Sequence, residues 1–313
     1  MHIIDPWSAR RTGNVMSWSN GRAGRFLGGG GVDVSFEFSP PTTIAVDATL
    51  WRSITRLEPL NPVNVSVTYG AHGATRERTH ATVARILKET RLKVAAHLTC
   101  AGATRSEVNE IAQTYWDMGV RHIVALRGDP PSGNRYVSHP GGYESSIDLI
   151  KGLKAIAPFE ITVATYPEKH PASPSIEHDI DMLKAKIDAG ATSAITQFFF
   201  DNDTFLRFRD RLDAEGITIP VIPGILPIYN LRQVERAAFR SRVRIPPWLA
   251  KRVDGLDDDR ETRRVAAAAL SAEQILDLVA QGVGRVHFFT LNRADVVFAI
   301  CHMIGLRGTR PTA

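Results

Sequence analysis

Glu37 lies near the end of the run Val32-Asp33-Val34-Ser35-Phe36-Glu37-Phe38-Ser39-Pro40-Pro41, between two phenylalanines. Desolvation in such a setting disfavours the charge and raises the pKa. A carboxylic acid kept partly protonated near neutrality is suited to general acid catalysis. A glutamate at a strand end that meets solvent or a lysine is the competing reading, and this stretch alone decides for neither. Polar residues recur at the ends of other apolar runs: Thr68-Tyr69-Gly70, His97-Leu98-Thr99-Cys100, Arg127-Gly128-Asp129-Pro130-Pro131 and Tyr166-Pro167-Glu168-Lys169-His170. Thr196-Gln197-Phe198-Phe199-Phe200-Asp201, Pro223-Gly224-Ile225-Leu226-Pro227 and Thr290-Leu291-Asn292-Arg293 complete the set. Taken singly, each has a structural explanation: His97 as a hydrogen-bonded core histidine, Arg127 to Asp129 as a salt-bridged turn, the prolines as strand stops. Gln197 before three phenylalanines is harder to assign to packing, because a buried amide needs partners. No glycine fingerprint of the dinucleotide or Walker type appears. No Ser-His-Asp or Cys-His pairing is readable, and the ten histidines show no metal-ligand spacing.

The elements that must carry these residues alternate between two periods. Apolar residues at every second position predict strands over 32–38, 63–68, 93–98, 121–127, 160–165, 193–199, 219–224 and 285–290. Between them lie amphipathic stretches, among them 76–90, 106–118, 145–157, 175–189 and 204–215. Several begin with Ser or Thr as cap candidates, and two run into Gly119 and Gly190. Eight strands alternating with helices predict a single-domain α/β fold, a closed (β/α)8 TIM barrel over residues 32–313, with extra helices between strands seven and eight. In such a barrel all the strand-end residues meet at one rim, where the chemistry of these folds resides. Residues 1–31, rich in Ser, Asn, Arg and Gly, predict a flexible N-terminal arm without the apolar core of a signal peptide.

Composition narrows the function. Of 313 residues, 43% are hydrophobic and 23% charged, enough for a sizeable core. Two cysteines give neither a disulfide framework nor a metal site, and no apolar run reaches membrane-spanning length, so the expectation is a cytoplasmic protein without membrane association. The net charge of +5 is mild and mixed in sign, so no nucleic-acid surface is read.

Eight of the strand-end motifs, running in order through residues 32–307, resemble methylenetetrahydrofolate reductase of the bacterial type. Phe36-Glu37-Phe38, Ala125-Leu126-Arg127-Gly128-Asp129 and Ile195-Thr196-Gln197-Phe198-Phe199-Phe200-Asp201 are among them. The resemblance implies reduction of methylenetetrahydrofolate, with or without a polyglutamyl tail, to methyltetrahydrofolate by NADH or NADPH, within one-carbon metabolism and methionine biosynthesis. It makes Glu37 the general acid that protonates N10 of the folate, and Asp129 the charge that stabilises the resulting iminium cation. It assigns Gln197, Gln233 and Arg293 to the folate. It places Thr68, Tyr69, His97, Arg127, Tyr143, Tyr166, His170, Asp179 and Lys186 at positions that contact FAD in the flavin-bearing members.

The chain departs from that pattern on the cofactor side. Glu144 replaces a small residue, Met182 and Ala185 replace an Asn and an Arg, and Ala237 stands at the nicotinamide-stacking phenylalanine, with Phe239 close by. Losing an arginine and an amide beside a diphosphate leaves its charge less well paired, so the expectation is direct hydride transfer from the nicotinamide without tightly bound FAD. A conventional FAD-dependent ping-pong reductase, and a folate-binding or methyl-transferring barrel without reductase activity, remain the alternatives. The sequence prefers neither NADH nor NADPH and sets no oligomeric state.

Overall fold

The computed structural model describes residues 31–69, 73–128 and 137–308, the side chains of 73–75 excepted. The expected arm over 1–31 therefore falls almost wholly outside the described residues, as does Asp129. The strands are β1 (Asp33–Phe38), β2 (Val65–Val67), β3 (Val94–Thr99), β4 (His122–Leu126), β5 (Glu160–Thr165), β6 (Ser193–Thr196), β7 (Val221–Ile222), β8 (Gly224–Ile225) and β9 (Arg285–Phe289). All pair in parallel, in the order β7-β6-β5-β4-β3-β2-β1-β9-β8.

The predicted seventh strand is present as two pieces. Pro223 has no N–H with which to continue the ladder, so pairing with β6 ends at Ile222 and pairing with β9 begins at Gly224. The Pro223 carbonyl still accepts the His287 N–H at 2.9 Å. One kinked segment thus joins the two edges and closes the barrel.

The helices are α1 (Ile44–Leu57), α2 (Gly73–Glu89), α3 (Arg105–Asp117), α4 (Ser146–Ile156), α5 (Ile176–Asp188), α6 (Asn202–Ala214), α7 (Leu231–Ser241), α8 (Pro247–Val253), α9 (Arg260–Ala280) and α10 (Ala294–Met303). The expected additional helices after the seventh strand are α7, α8 and α9. Ser145 and Ser175 cap α4 and α5 by accepting backbone N–H bonds. The caps of α3 and α6 lie further upstream than Ser106 and Thr204: Thr104 forms a capping box with Glu107, and Asp201 caps α6. Gly119 and Gly190 follow their helices at φ of 95° and 116°, a region that favours glycine.

Alternation along β1 sorts its side chains. Val34, Phe36 and Phe38 are buried in the apolar layer between strands and helices, where Phe36 packs on Phe288 at 5.8 Å. Ser35 and Glu37 take the other face and look into the barrel, where they meet His287 and His97. The interior is polar for a fold whose centre is usually filled by branched apolar residues. A hydrogen-bonded line runs from Ser193 through Thr162 to His122, each link 2.6 Å.

Candidate active site

Glu37 sits at the C-terminal end of β1, its side chain 18% exposed. His97 Nε2 on β3 lies 3.5 Å from Glu37 Oε2, and His287 Nε2 on β9 lies 3.8 Å from the same atom. The other ring nitrogen of His287 is 2.8 Å from Ser35 Oγ. These distances correct the expectation of a raised pKa. Burial does push the Glu37 carboxyl up, but its two imidazole partners outweigh burial and hold it below the usual range. Phe36 and Phe38 flank Glu37 in sequence and not in space, because successive strand residues face opposite sides. His97, which the resemblance assigns to the cofactor, also lies against Glu37; its own pKa is lowered by burial, against the field of Glu37.

The mouth above Glu37 is tied to neighbouring elements. Thr290 Oγ1 donates to the Glu37 carbonyl, and Asn292 exchanges hydrogen bonds with the Ser39 backbone, both at 2.9 Å. Leu291 and Asn292 take left-handed φ of 49° and 56°, and the turn they make presents Arg293. Arg293 lies over the Tyr229 ring at 5.2 Å, and the Tyr229 hydroxyl donates to the Arg293 and Thr290 carbonyls. Gln197 has the partners that a half-buried amide needs: its Oε1 accepts from Phe198 N at 3.0 Å, and its Nε2 donates to Ser241 Oγ at 3.3 Å. Gln233 is exposed in the first turn of α7, which ends at that same Ser241. The three folate candidates therefore reach one rim from β6, α7 and the loop after β9. Gly224 must be glycine here, since a Cβ would meet the Thr196 carbonyl at 2.3 Å.

The neighbouring stretch of that rim, around β4 and β5, is cationic. Lys186 on α5 donates to the Ala164 carbonyl at 3.0 Å, and burial lowers its pKa to about 8, with Asp179 opposing and Arg127 assisting. Asp179 accepts from His170 N at 2.7 Å, and the Tyr166 and His170 rings meet edge to face at 4.6 Å. Lys169, between them, holds a strained φ of 93°. Arg127 precedes Gly128, whose φ of 88° brings it against Ala101. Thr68 and Tyr69 adjoin α2: the Thr68 carbonyl accepts from Thr79, and Tyr69 packs on His80 with its hydroxyl pushed up to about 12 by burial. Tyr143 stands in the loop just before α4. Its ring is buried between α3 and α4, its hydroxyl donating to Asn109 at 2.6 Å, so its side chain is committed to packing. Met182 and Ala185 are half-buried on α5 and Glu144 is exposed. Ala237 packs against the Phe198 cluster, whereas Phe239 is 86% exposed on the far side of α7.

A lysine whose charge is disfavoured by burial gains from a nearby anion. Among the described residues, no cluster of His, Cys, Asp and Glu could hold a metal ion, and no helix is long and apolar enough to cross a membrane. Ser35, His287 and His122 are the site residues that the sequence did not single out. Their trace was parity: His287 lies in a predicted strand, in phase with the inward face.

Fold and site together define a (β/α)8 barrel with a carboxyl held between imidazoles at its mouth and a cationic stretch of rim beside it. A family model for methylenetetrahydrofolate reductase matches residues 25–305, and the chain belongs to that family. It is 50% identical over 278 residues to 5,10-methylenetetrahydrofolate reductase of Escherichia coli strain K12, covering 89% of this chain and 92% of that one. It is 49% identical over 279 residues to the enzyme of the same name from Pectobacterium carotovorum, with the same coverage. Among solved structures, a Clostridium thermocellum protein described as binding two copies of 5-methyl-5,6,7,8-tetrahydrofolic acid superposes with a TM-score of 0.58 at 14% identity. It covers 90% of this chain and 96% of that one, a likeness of fold.

Proposed function

We propose that this chain reduces 5,10-methylenetetrahydrofolate to 5-methyltetrahydrofolate, taking hydride directly from NADH or NADPH without tightly held flavin. The observation that carries the reductase reading is Glu37: a carboxyl at the barrel mouth, held between two imidazoles, which a mere folate binder does not need. Glu37 gives its proton to N10; the Glu37 O–H breaks, N10–H forms, and the bond from N10 to the bridging carbon opens to an N5 iminium. Hydride adds to that carbon and makes the methyl group. Gln197, Gln233 and Arg293 hold the folate, and Asp129 offsets the cation.

Lys186 and Arg127 suit any dinucleotide diphosphate, that of FAD included, and a bound flavin would relay the hydride between the two substrates. The flavin-free reading rests on three departures from the family pattern: Met182 and Ala185, on the helix of Lys186, have no donor for a phosphate oxygen, and Glu144 adds a carboxyl where a small residue is usual. The test is an anaerobic initial-rate study of NADH oxidation with methylenetetrahydrofolate varied, plus absorbance of the supernatant after denaturation. Intersecting lines and a colourless supernatant are the expected outcome. Stoichiometric flavin with parallel lines overturns direct transfer. Absence of folate-dependent NADH oxidation overturns the reductase itself.

A further inference from the structure

Helix α7 carries one folate candidate in its first turn and touches another in its last. Gln233 stands exposed near its start, and Ser241 at its end accepts from the Gln197 amide at 3.3 Å. Its inner face is small: Val234 and Ala238 are buried in the Phe198 cluster, and Ala237 packs beside them. The outer face carries arginine. At 3.6 residues per turn, Gln233, Arg236 and Arg240 fall within about 60° of arc and span about 10 Å of helix. Arg232 flanks them, and Glu235 and Phe239 line the other side of the same open depression. The stripe belongs to a wider imbalance, since residues 232–264 hold ten Lys and Arg against six Asp and Glu.

The neighbouring arginines are already paired. Arg232 lies 3.5 Å from Asp257, Arg252 meets Glu273 at 2.6 Å, and Arg244 donates from its side chain to Asp201 and from its backbone to Glu168. Arg236 and Arg240 are exposed and have no ion-pair partner among the described residues. Like charges four residues apart on a helix repel, and Arg232, Arg236 and Arg240 repeat that spacing twice. An anion laid along the stripe removes the repulsion.

We propose that Arg236 and Arg240 form a subsite for the glutamyl tail of the folate, serving the residues beyond the first glutamate. The inference rests on the reductase reading, in which Gln197, Gln233 and Arg293 hold the folate itself. A tail that leaves the pocket past Gln233 meets Arg236 about one turn on and Arg240 one turn further. A γ-linked glutamyl chain presents one α-carboxylate per residue, a repeat that matches the ~6 Å step between the two arginines. Guanidinium suits it, being planar, permanently charged and able to hold a carboxylate by two parallel hydrogen bonds. Such a subsite grips ground state and transition state alike, so it lowers KM and leaves kcat unchanged.

The measurement is the KM of methylenetetrahydrofolate as monoglutamate and as pentaglutamate, in wild type and in Arg236→Ala/Arg240→Ala. Exposed ion pairs contribute about 1.5- to fivefold each in affinity. The wild-type KM is therefore expected to fall roughly three- to tenfold from monoglutamate to pentaglutamate, a gain that added salt erodes because the charges stand in water. The alanine pair brings the two KM values within about twofold of each other, while Arg236→Lys/Arg240→Lys keeps most of the gain because the charge remains. Equal KM values in wild type, or the full gain retained in the alanine pair, overturn the proposal. So does an alanine pair that raises the KM for NADH and leaves the folate ratio alone, which gives the stripe to the dinucleotide. Calorimetric titration with 5-methyltetrahydrofolate of both tail lengths reads the same difference without turnover. A chain that binds the pentaglutamate more tightly yet oxidises no NADH sinks the reductase reading and keeps the subsite. A chain that binds neither form sinks both.

Discussion

The pocket around Glu37 and the cationic rim around Lys186 solve opposite electrostatic problems in one barrel mouth. Glu37 is buried yet more easily ionised than an ordinary carboxyl, because strand-borne imidazoles are fixed against it. Lys186 is half-buried and less easily ionised than an ordinary amine, because desolvation outweighs Asp179, and its ammonium donates to the Ala164 carbonyl. The acid comes with its counter-groups built in; the amine is left to be completed by an anionic ligand. The supports differ in the same sense. Glu37, His97, His287 and Ser35 all stand on strands, whereas Lys186, Asp179 and His170 come from a helix and a loop. Sites on strands hold tighter geometry than sites on loops, which suits proton transfer on one side and ligand capture on the other.

That contrast is broken most forcefully at the acid. Glu37→Gln keeps the side-chain shape and removes the proton, so kcat is expected to fall by ~10²–10⁴ while folate binding survives. Near-normal turnover in a steady-state assay would remove Glu37 from the chemistry. On the other side, Lys186→Met is expected to weaken the nicotinamide dinucleotide by about 1.5–3 kcal/mol, roughly tenfold to a hundredfold in Kd, with the folate KM little changed. Calorimetric titration with NADH decides it, and an equal loss for both substrates would make Lys186 a structural residue.

A pH series sharpens the same point. The anion prefers protonated Lys186, so affinity for the dinucleotide should hold below the pKa of about 8 and decline above it. Fold stability should move the other way. The folded state binds this proton less tightly than the unfolded chain, so the penalty is present below about 8 and is relieved as pH climbs towards the ordinary lysine value of 10.5. Dinucleotide affinity that is flat across that window would dissociate Lys186 from the diphosphate. The smallest effects belong to the folate rim: Gln197→Ala and Arg293→Ala should each cost methylenetetrahydrofolate about 1–3 kcal/mol, read as a raised folate KM with the NADH KM unmoved. A change confined to the NADH KM would put the folate elsewhere.

Much of this was legible in one dimension. The eight-strand alternation was visible because period 2 and period 3.6 are local properties of the chain. Glu37 and Gln197 announced themselves as polar residues at strand ends, while Lys186 entered through the family resemblance. Local pattern failed where neighbours in sequence are not neighbours in space. The Phe36-Glu37-Phe38 triplet suggested an acid in an apolar pocket, but the pleat turns both rings outward and leaves Glu37 among imidazoles from β3 and β9. Tyr143 illustrates the converse: its place among the cofactor residues is compatible with its loop, yet its ring is spent between α3 and α4.

The sequence by itself determined the barrel class, the family and the set of residues at the C-terminal rim, because strand phase and motif order need no knowledge of distant contacts. Only the tertiary structure decided which groups meet. Ser35 and His287 are separated by 252 positions and lie 2.8 Å apart. The kink at Pro223 that closes the ring is set by which edge strands remain unpaired. The sign of the Glu37 pKa shift was decided there too, since it is a balance between burial and two imidazoles brought in from strands that the local sequence does not contain.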